Sequence, residues 1–148
     1  MTERIEILKS LRLLTAYEGG RVLLRCRIAL GDHPVGPKER EGDGRTPEGA
    51  YCVCLKKDAG RWGPGLGISY PGPGDWKPGM DEALRERILA AWQSGSRPPW
   101  GSPLGGEIYI HGGGTDRDWT RGCIALADED IARLYPVTPL GTPVLIRP

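Results

Sequence analysis

Apolar residues along this chain recur mostly at every second position, in short runs closed by glycine, which is the pattern of half-buried β-strands. Ile5, Ile7 and Leu8 alternate with charged residues. A second apolar run from Leu11 to Tyr17 closes at Glu18-Gly19-Gly20, and Arg21 to Leu30 then sets Val22, Leu24, Cys26 and Ile28 on one face. The two runs and their Gly-Gly turn predict a hairpin. Further strands are expected at Ala50–Leu55, Gly67–Tyr70, Glu107–His111, Cys123–Leu126 and Thr142–Ile146. Only one segment carries clear helical periodicity: Leu84, Ile88, Leu89 and Trp92 share a face between Asp81 and Gln93, opposite Arg85, Glu86 and Arg87. A shorter helix is expected from Asp128 to Tyr135, with three acids in its first turn, where the helix dipole favours them. The segments Gly31–Gly49, Gly60–Pro78 and Ser94–Gly106 are punctuated by Gly and Pro and read as ordered loops, the second around the short strand.

Composition sharpens this picture. Of 148 residues, 23 are Gly and 14 Pro, a quarter of the chain and near the range of low-complexity sequences. A hydrophobic fraction of 39% and a net charge of +1 argue instead for a folded chain. The length suits a single domain spanning residues 1–148, with many short strands. Near-zero net charge supplies no electrostatic footprint for nucleic acid or an anionic membrane. No apolar run reaches the roughly 20 residues of a membrane span. Acids interrupt the only apolar stretch of the first ten residues, so these do not read as a signal peptide, and the compartment stays open between cytoplasm and envelope.

Two residues carry candidate chemistry. His111 ends a strand and precedes Gly112-Gly113-Gly114; Cys123 follows Gly122 twelve positions later and precedes an apolar run. Side chains at the two ends of such an excursion can face each other across a sheet. A free thiol has pKa near 8.5 and needs a base to become a nucleophile near neutral pH. A His beside it, here His111, can take the proton, and the ion pair then stabilises the thiolate. Its other ring nitrogen must be oriented by a third group, for which the carbonyl of Gly112 is the candidate. The backbone amides of Gly122 and Cys123 are placed to form an oxyanion hole. Taken as isolated residues, the two read more readily as a buried Cys and a satisfied His in a turn, and spacing alone does not establish a thiol enzyme. Cys26, Cys52 and Cys54 read as small buried apolar side chains. A metal site from Cys52, Cys54 and His111 is the least favoured reading, since the C-x-C spacing matches no zinc pattern. With Cys123 kept free, at most one disulfide could form.

The order of motifs resembles a known family. Ile110-His111-Gly112 followed by Asp118-Trp119-Thr120-Arg121-Gly122-Cys123-Ile124-Ala125-Leu126 looks like the signature of the L,D-transpeptidase (YkuD-like) family: an HG, a spacer, then Ser/Thr-x-Gly-Cys and an apolar residue. Ala29-Leu30-Gly31, Pro34 to Lys38, Gly42 to Tyr51, Ile68 to Pro71 and Gly141 to Ile146 resemble other segments of that family, so the likeness covers nearly the whole chain. It implies a mainly β fold, a sandwich-like catalytic domain with one or two short helices and no cofactor or metal. It also implies cysteine acyl transfer on peptidoglycan stem peptides, with Cys123 as nucleophile, His111 as base and Gly112 as its orienter. The thiolate would attack the carbonyl of the third stem residue, expel the terminal D-Ala and pass the acyl group to an amine; carbapenem-type inhibitors would acylate the same thiol. Such a substrate implies the cell envelope.

Three positions depart from the commonest family pattern: Arg121 stands where many members have a second His, Ala125 replaces a polar residue, and the spacer is short. Relatives of this form include enzymes that cleave instead of joining. Same-fold hydrolysis (an L,D-carboxypeptidase or an amidase) and a non-catalytic wall-binding module therefore stand as alternatives. Arg121, Thr120 and Arg45 are the candidate substrate-binding residues. Arg121 reads either as a bidentate carboxylate fork or as a surface charge. Arg45 and Lys38 bind carboxylates or brace the loop, and Asp118 and Trp119 position the site wall or simply pack.

Overall fold

The computed structural model describes all 148 residues. Eight strands form it: β1 (Arg4–Leu8), β2 (Leu13–Glu18), β3 (Arg21–Ala29), β4 (Gly49–Lys57), β5 (Gly65–Ile68), β6 (Tyr109–His111), β7 (Ile124–Leu126) and β8 (Pro143–Arg147). Two helices accompany them, α1 (Glu82–Ser94) and α2 (Asp128–Leu134). The mainly β expectation holds, and the two layers of a sandwich are here parts of one sheet that closes in the order β1-β2-β3-β7-β6-β5-β4-β8. The pairs β6–β7 and β1–β8 are parallel and the others antiparallel.

Alternation within the strands fills the interior. Ile5, Ile7, Leu14, Ile28, Val53, Leu66, Ile68, Ile110, Ile124, Val144 and Ile146 all point into one core. The hairpin forms as expected, but its alternation slips at a bulge between Ala16 and Tyr17, which leaves Val22 outside while Leu24, Cys26 and Ile28 turn inward. On β4 the larger apolar side chains Tyr51 and Val53 take the interior, so Cys52 and Cys54 share the outer face and are half-buried rather than core residues; Cys26 is buried as expected. All four cysteines are free thiols.

Helix α1 stands apart from the core. Asp81 caps it by accepting the Ala83 N–H at 3.0 Å, and Gly95 closes it at φ 67°, a left-handed conformation that favours glycine. Leu84 and Ile88 pack on Leu104 with Trp76 and Met80, in a satellite cluster under the 72–106 excursion between β5 and β6. Trp92, expected on that apolar face, is exposed because the satellite covers only the Leu84–Ile88 stripe.

The loop before β4 is ordered by buried charges. Lys38 and Asp43 pair at 2.9 Å with both side chains almost fully buried. Lys9 donates to the Glu48 carboxylate at 3.0 Å and to the carbonyls of Gly36 and Thr46. These contacts fix the loop as the wall behind Gly122.

Candidate active site

Parallel pairing of β6 with β7 sets Ile110 beside Ile124 and His111 beside Ala125, so Cys123, one residue before β7, falls beside Tyr109, two register positions from His111 and on the same face of the sheet. His111 and Cys123 both line a cleft of about 180 Å³, together with Lys57, Trp62 and Tyr109.

His111 is buried, and its Nδ1 lies 2.6 Å from the Gly112 carbonyl oxygen. That contact assigns the tautomer: Nδ1–H donates and Nε2 keeps its lone pair. Gly112 is held in turn, its N–H donating to the Trp62 carbonyl at 3.3 Å. A Cβ at Gly112 would stand 2.6 Å from the Asp128 carboxylate and 3.0 Å from the Trp62 carbonyl oxygen, so a side chain there would have to displace this support. The indole of Trp62 stacks near the imidazole at 6.2 Å between centroids, and Trp119 meets it edge-on at 5.8 Å. Trp119 is tied down by donating Nε1–H to the Gly114 carbonyl. Burial lowers the His111 pKa, with the Gly112 hydrogen bond opposing, so the imidazole is neutral near pH 7.

The Cys123 sulfur accepts the Tyr109 backbone N–H at 3.3 Å and lies 3.5 Å from the Glu107 carbonyl. Burial pushes this thiol up, the Tyr109 N–H opposing. Burial thus favours the neutral form of both groups in the resting cleft. Burial also raises Cys26, to about 12, and Cys54, to about 11. Cys123 differs from these two in sharing a cleft with an oriented imidazole. Activity should accordingly rise along an acidic limb set by His111 below its ordinary 6.5. A pH profile of kcat/KM checks this; an acidic limb above 7 would contradict it.

The Gly122 turn needs its glycine. Its φ is 141°, and a Cβ there would lie 2.8 Å from the Arg45 carbonyl. The oxyanion assignment changes in one respect: the Gly122 N–H donates to Thr120 Oγ1 at 3.1 Å, so it is already committed. The N–H of Cys123 remains as a backbone donor beside the sulfur. Thr120 also departs from the substrate-binding role expected of it. Its side chain is buried, and its hydroxyl donates to the Cys123 carbonyl at 2.7 Å while accepting from Gly122, so it braces the nucleophile turn. Thr120→Val, which keeps the shape and removes both bonds, should cost about 2 kcal/mol of stability, read as a lower thermal midpoint. A midpoint within 1 °C of wild type would remove this bracing role.

The remaining candidates divide. Lys38 braces the loop through Asp43. Asp118 accepts two Arg12 nitrogens and the Leu30 N–H, which ties the segment before Cys123 to β3. Arg45 is half-buried and contributes its carbonyl behind Gly122, with its guanidinium against Gly36. Arg121 is exposed and lines neither the cleft nor the larger groove beside α1. Tyr70 is a core residue donating to the Leu104 carbonyl. Cys52, Cys54 and His111 are not gathered, and no group of three metal-ligating side chains forms. Sequence reasoning missed Trp62, Trp100 and the Tyr109 N–H. Trp62 carried a weak signal as a large aromatic inside a Gly-rich loop; Trp100 and the Tyr109 amide carried none, since their roles depend on which strand lies beside which.

The chain can now be set beside known proteins. The helical cell shape determining protein Pgp2 from Campylobacter jejuni matches 99% of this chain and 47% of its own, at 24% identity and a TM-score of 0.68. An L,D-transpeptidase from Stackebrandtia nassauensis matches 100% of this chain and 56% of its own (13% identity, TM-score 0.61). L,D-transpeptidase 3 from Mycobacterium tuberculosis, solved with a faropenem-derived adduct, matches 97% and 59% (14% identity, TM-score 0.59). These likenesses establish the fold, and the chain spans about half the length of each of these proteins. No curated protein matches the sequence. The family model for the L,D-transpeptidase catalytic domain (YkuD) matches residues 2–146, taking in every strand and both rims of the His111–Cys123 cleft. With nearly its whole length matched, the chain belongs to the L,D-transpeptidase catalytic-domain family.

Proposed function

We propose that this protein is a cysteine acyltransferase acting on peptidoglycan stem peptides at the cell envelope. The observation that supports this most is the Gly112-oriented, neutral imidazole of His111 lining one cleft with the Cys123 thiol. When a substrate carbonyl sits against Sγ, Nε2 takes the thiol proton and the sulfur forms a bond to the carbonyl carbon of the third stem residue. The Tyr109 N–H stabilises the developing thiolate, and the Cys123 N–H donates to the oxyanion, an interaction worth about 3–4 kcal/mol in hydrolases of known mechanism. Collapse breaks the C–N bond, and the imidazolium returns its proton to the departing D-Ala amine. The thioester then passes to an amine, with His111 accepting the incoming proton.

Incubating the protein with muropeptides carrying a tetrapeptide stem tests this. Expected products are free D-Ala and a cross-linked dimer, and a carbapenem should leave one covalent adduct per chain on the Cys123 peptide by mass spectrometry. D-Ala release without dimers would replace transfer by hydrolysis. Absence of both release and adduct would leave a binding module.

A further inference from the structure

A groove of about 630 Å³, larger than the cleft itself, runs between α1 and the segment 97–107, and both polar and apolar groups line it. Two arginines face it, Arg87 from α1 and Arg97 from the loop that follows, and neither makes an ion pair within the protein. Arg97 is exposed, and its guanidinium lies over the Trp100 ring, 5.1 Å from its centre. Trp100 donates Nε1–H to the Tyr70 carbonyl at 3.1 Å, which anchors it to the core, and it meets Tyr109 edge-on at 5.7 Å. Tyr109 is the residue whose N–H contacts the Cys123 sulfur. A continuous set of packed aromatics thus connects this guanidinium to the nucleophile. Two acids line the groove. Asp81 already serves as the α1 cap, and Glu107 stands at the end nearest Cys123, its backbone carbonyl against the sulfur and its φ at 55°. Charges of both signs therefore line the groove, with Arg97 joined through Trp100 to the Tyr109 side of the thiol.

We propose that this groove binds the peptide substrate through carboxylate groups, with Arg87 and Arg97 as the residues that recognise them. An unpaired guanidinium stacked on an indole is pre-organised for a bidentate carboxylate, losing little freedom on binding. The assignment rests on the stem-peptide reading above and gives it a selectivity: acidic stems over stems whose carboxylates are amidated. It also transfers to Arg87 and Arg97 the carboxylate role that Arg121, exposed and outside the groove, does not fill.

The test is binding to Cys123→Ala protein, which needs no turnover. Calorimetry would compare a tetrapeptide stem with the same peptide carrying carboxamides at every free carboxylate. The acid form should bind about 10-fold tighter. Arg97→Ala and Arg87→Ala should each weaken the acid form by about 5- to 10-fold and the amide form by less than about 2-fold, and Arg97→Lys should fall between wild type and Arg97→Ala. Thermal melts confirm that the variants fold. Equal affinity for the two peptides, binding of neither, or discrimination surviving in both alanine variants overturns the assignment. Thioester formation by the native protein reports separately on the acyltransferase reading. A chain that prefers the acid form yet never forms a thioester refutes that reading and keeps the groove; a chain that forms the thioester without discrimination does the reverse.

Discussion

Replacing Cys123 with alanine is expected to lower the rate of D-Ala release by about 10⁴-fold or more and to abolish the covalent adduct with a carbapenem. The expectation follows from what remains. Without the sulfur, His111 retains its Gly112 hydrogen bond and its place between Trp62 and Trp119, but no atom can hold the acyl group. Water cannot be relied on as a substitute nucleophile, because nothing orients it toward the carbonyl. Cys123→Ser gives the sharper measurement. It preserves the cleft and the Tyr109 contact, yet an alkoxide is far harder to form than a thiolate when the base is an imidazole whose pKa burial has lowered. His111→Ala should slow acylation by about 10²- to 10⁴-fold while leaving the sulfur in place. Intact-mass time courses on the three variants separate these roles, and an adduct persisting in Cys123→Ala would remove Cys123 as the nucleophile.

The largest structural effect is expected at Asp43, some distance from the reacting atoms. Its carboxylate accepts four hydrogen bonds: from Lys38 Nζ at 2.9 Å, and from the N–H groups of Glu39, Arg40 and Arg45 at 2.8, 3.1 and 3.1 Å. Asp43→Ala would strand a buried ammonium and three amides, a loss of about 3–5 kcal/mol. For a chain of this length that corresponds to a thermal midpoint lower by about 10 °C or more. Removing both charges, as in Lys38→Met with Asp43→Leu, should cost less than Asp43→Ala alone, because no charge is then left unpaired. The acid response follows from the same contacts. The donors hold the Asp43 carboxyl down at about 2, below its unfolded value. The pair's contribution is therefore present above about pH 4 and is lost as the pH falls from about 4 through 2. Acid unfolding monitored by circular dichroism checks this, and a midpoint change under about 2 °C in Asp43→Ala would refute the assigned role. The damage should reach activity too, since the loop that Asp43 organises carries the Arg45 carbonyl on which Gly122 rests.

How far the sequence could be read depended on the range of the forces involved. Strand alternation is local, so the hairpin of β2 and β3, the strand bearing Tyr51 and Val53, and the helix over Leu84 and Ile88 were all legible in advance. Their errors lay where tertiary packing overrides a local pattern. A bulge put Val22 outside, Tyr51 and Val53 claimed the interior ahead of Cys52 and Cys54, and the satellite cluster left Trp92 uncovered. His111 and Cys123 were legible because glycines flank both, and glycine beside a potential nucleophile has a local steric meaning: a Cβ would press on the Asp128 carboxylate at Gly112 and on the Arg45 carbonyl at Gly122.

By itself, then, the sequence determined the mainly β class and the family likeness, and it pointed to Cys123, His111 and Gly112 as candidates through residue type and motif order. Which hydrogen-bonding groups were still free could be decided only by the fold, since burial and pairing depend on residues far apart in the chain. Thr120 looked like a substrate contact and is spent on the Cys123 turn; Arg121, readable as a carboxylate fork or as a surface charge, is exposed. The guanidiniums that do face a groove beside the nucleophile, Arg87 and Arg97, come from an excursion whose sequence carries no mark of the site. Closure of the barrel brings that excursion against β6, and the packing of Trp100 on Tyr109 gives its arginines a place beside the thiol.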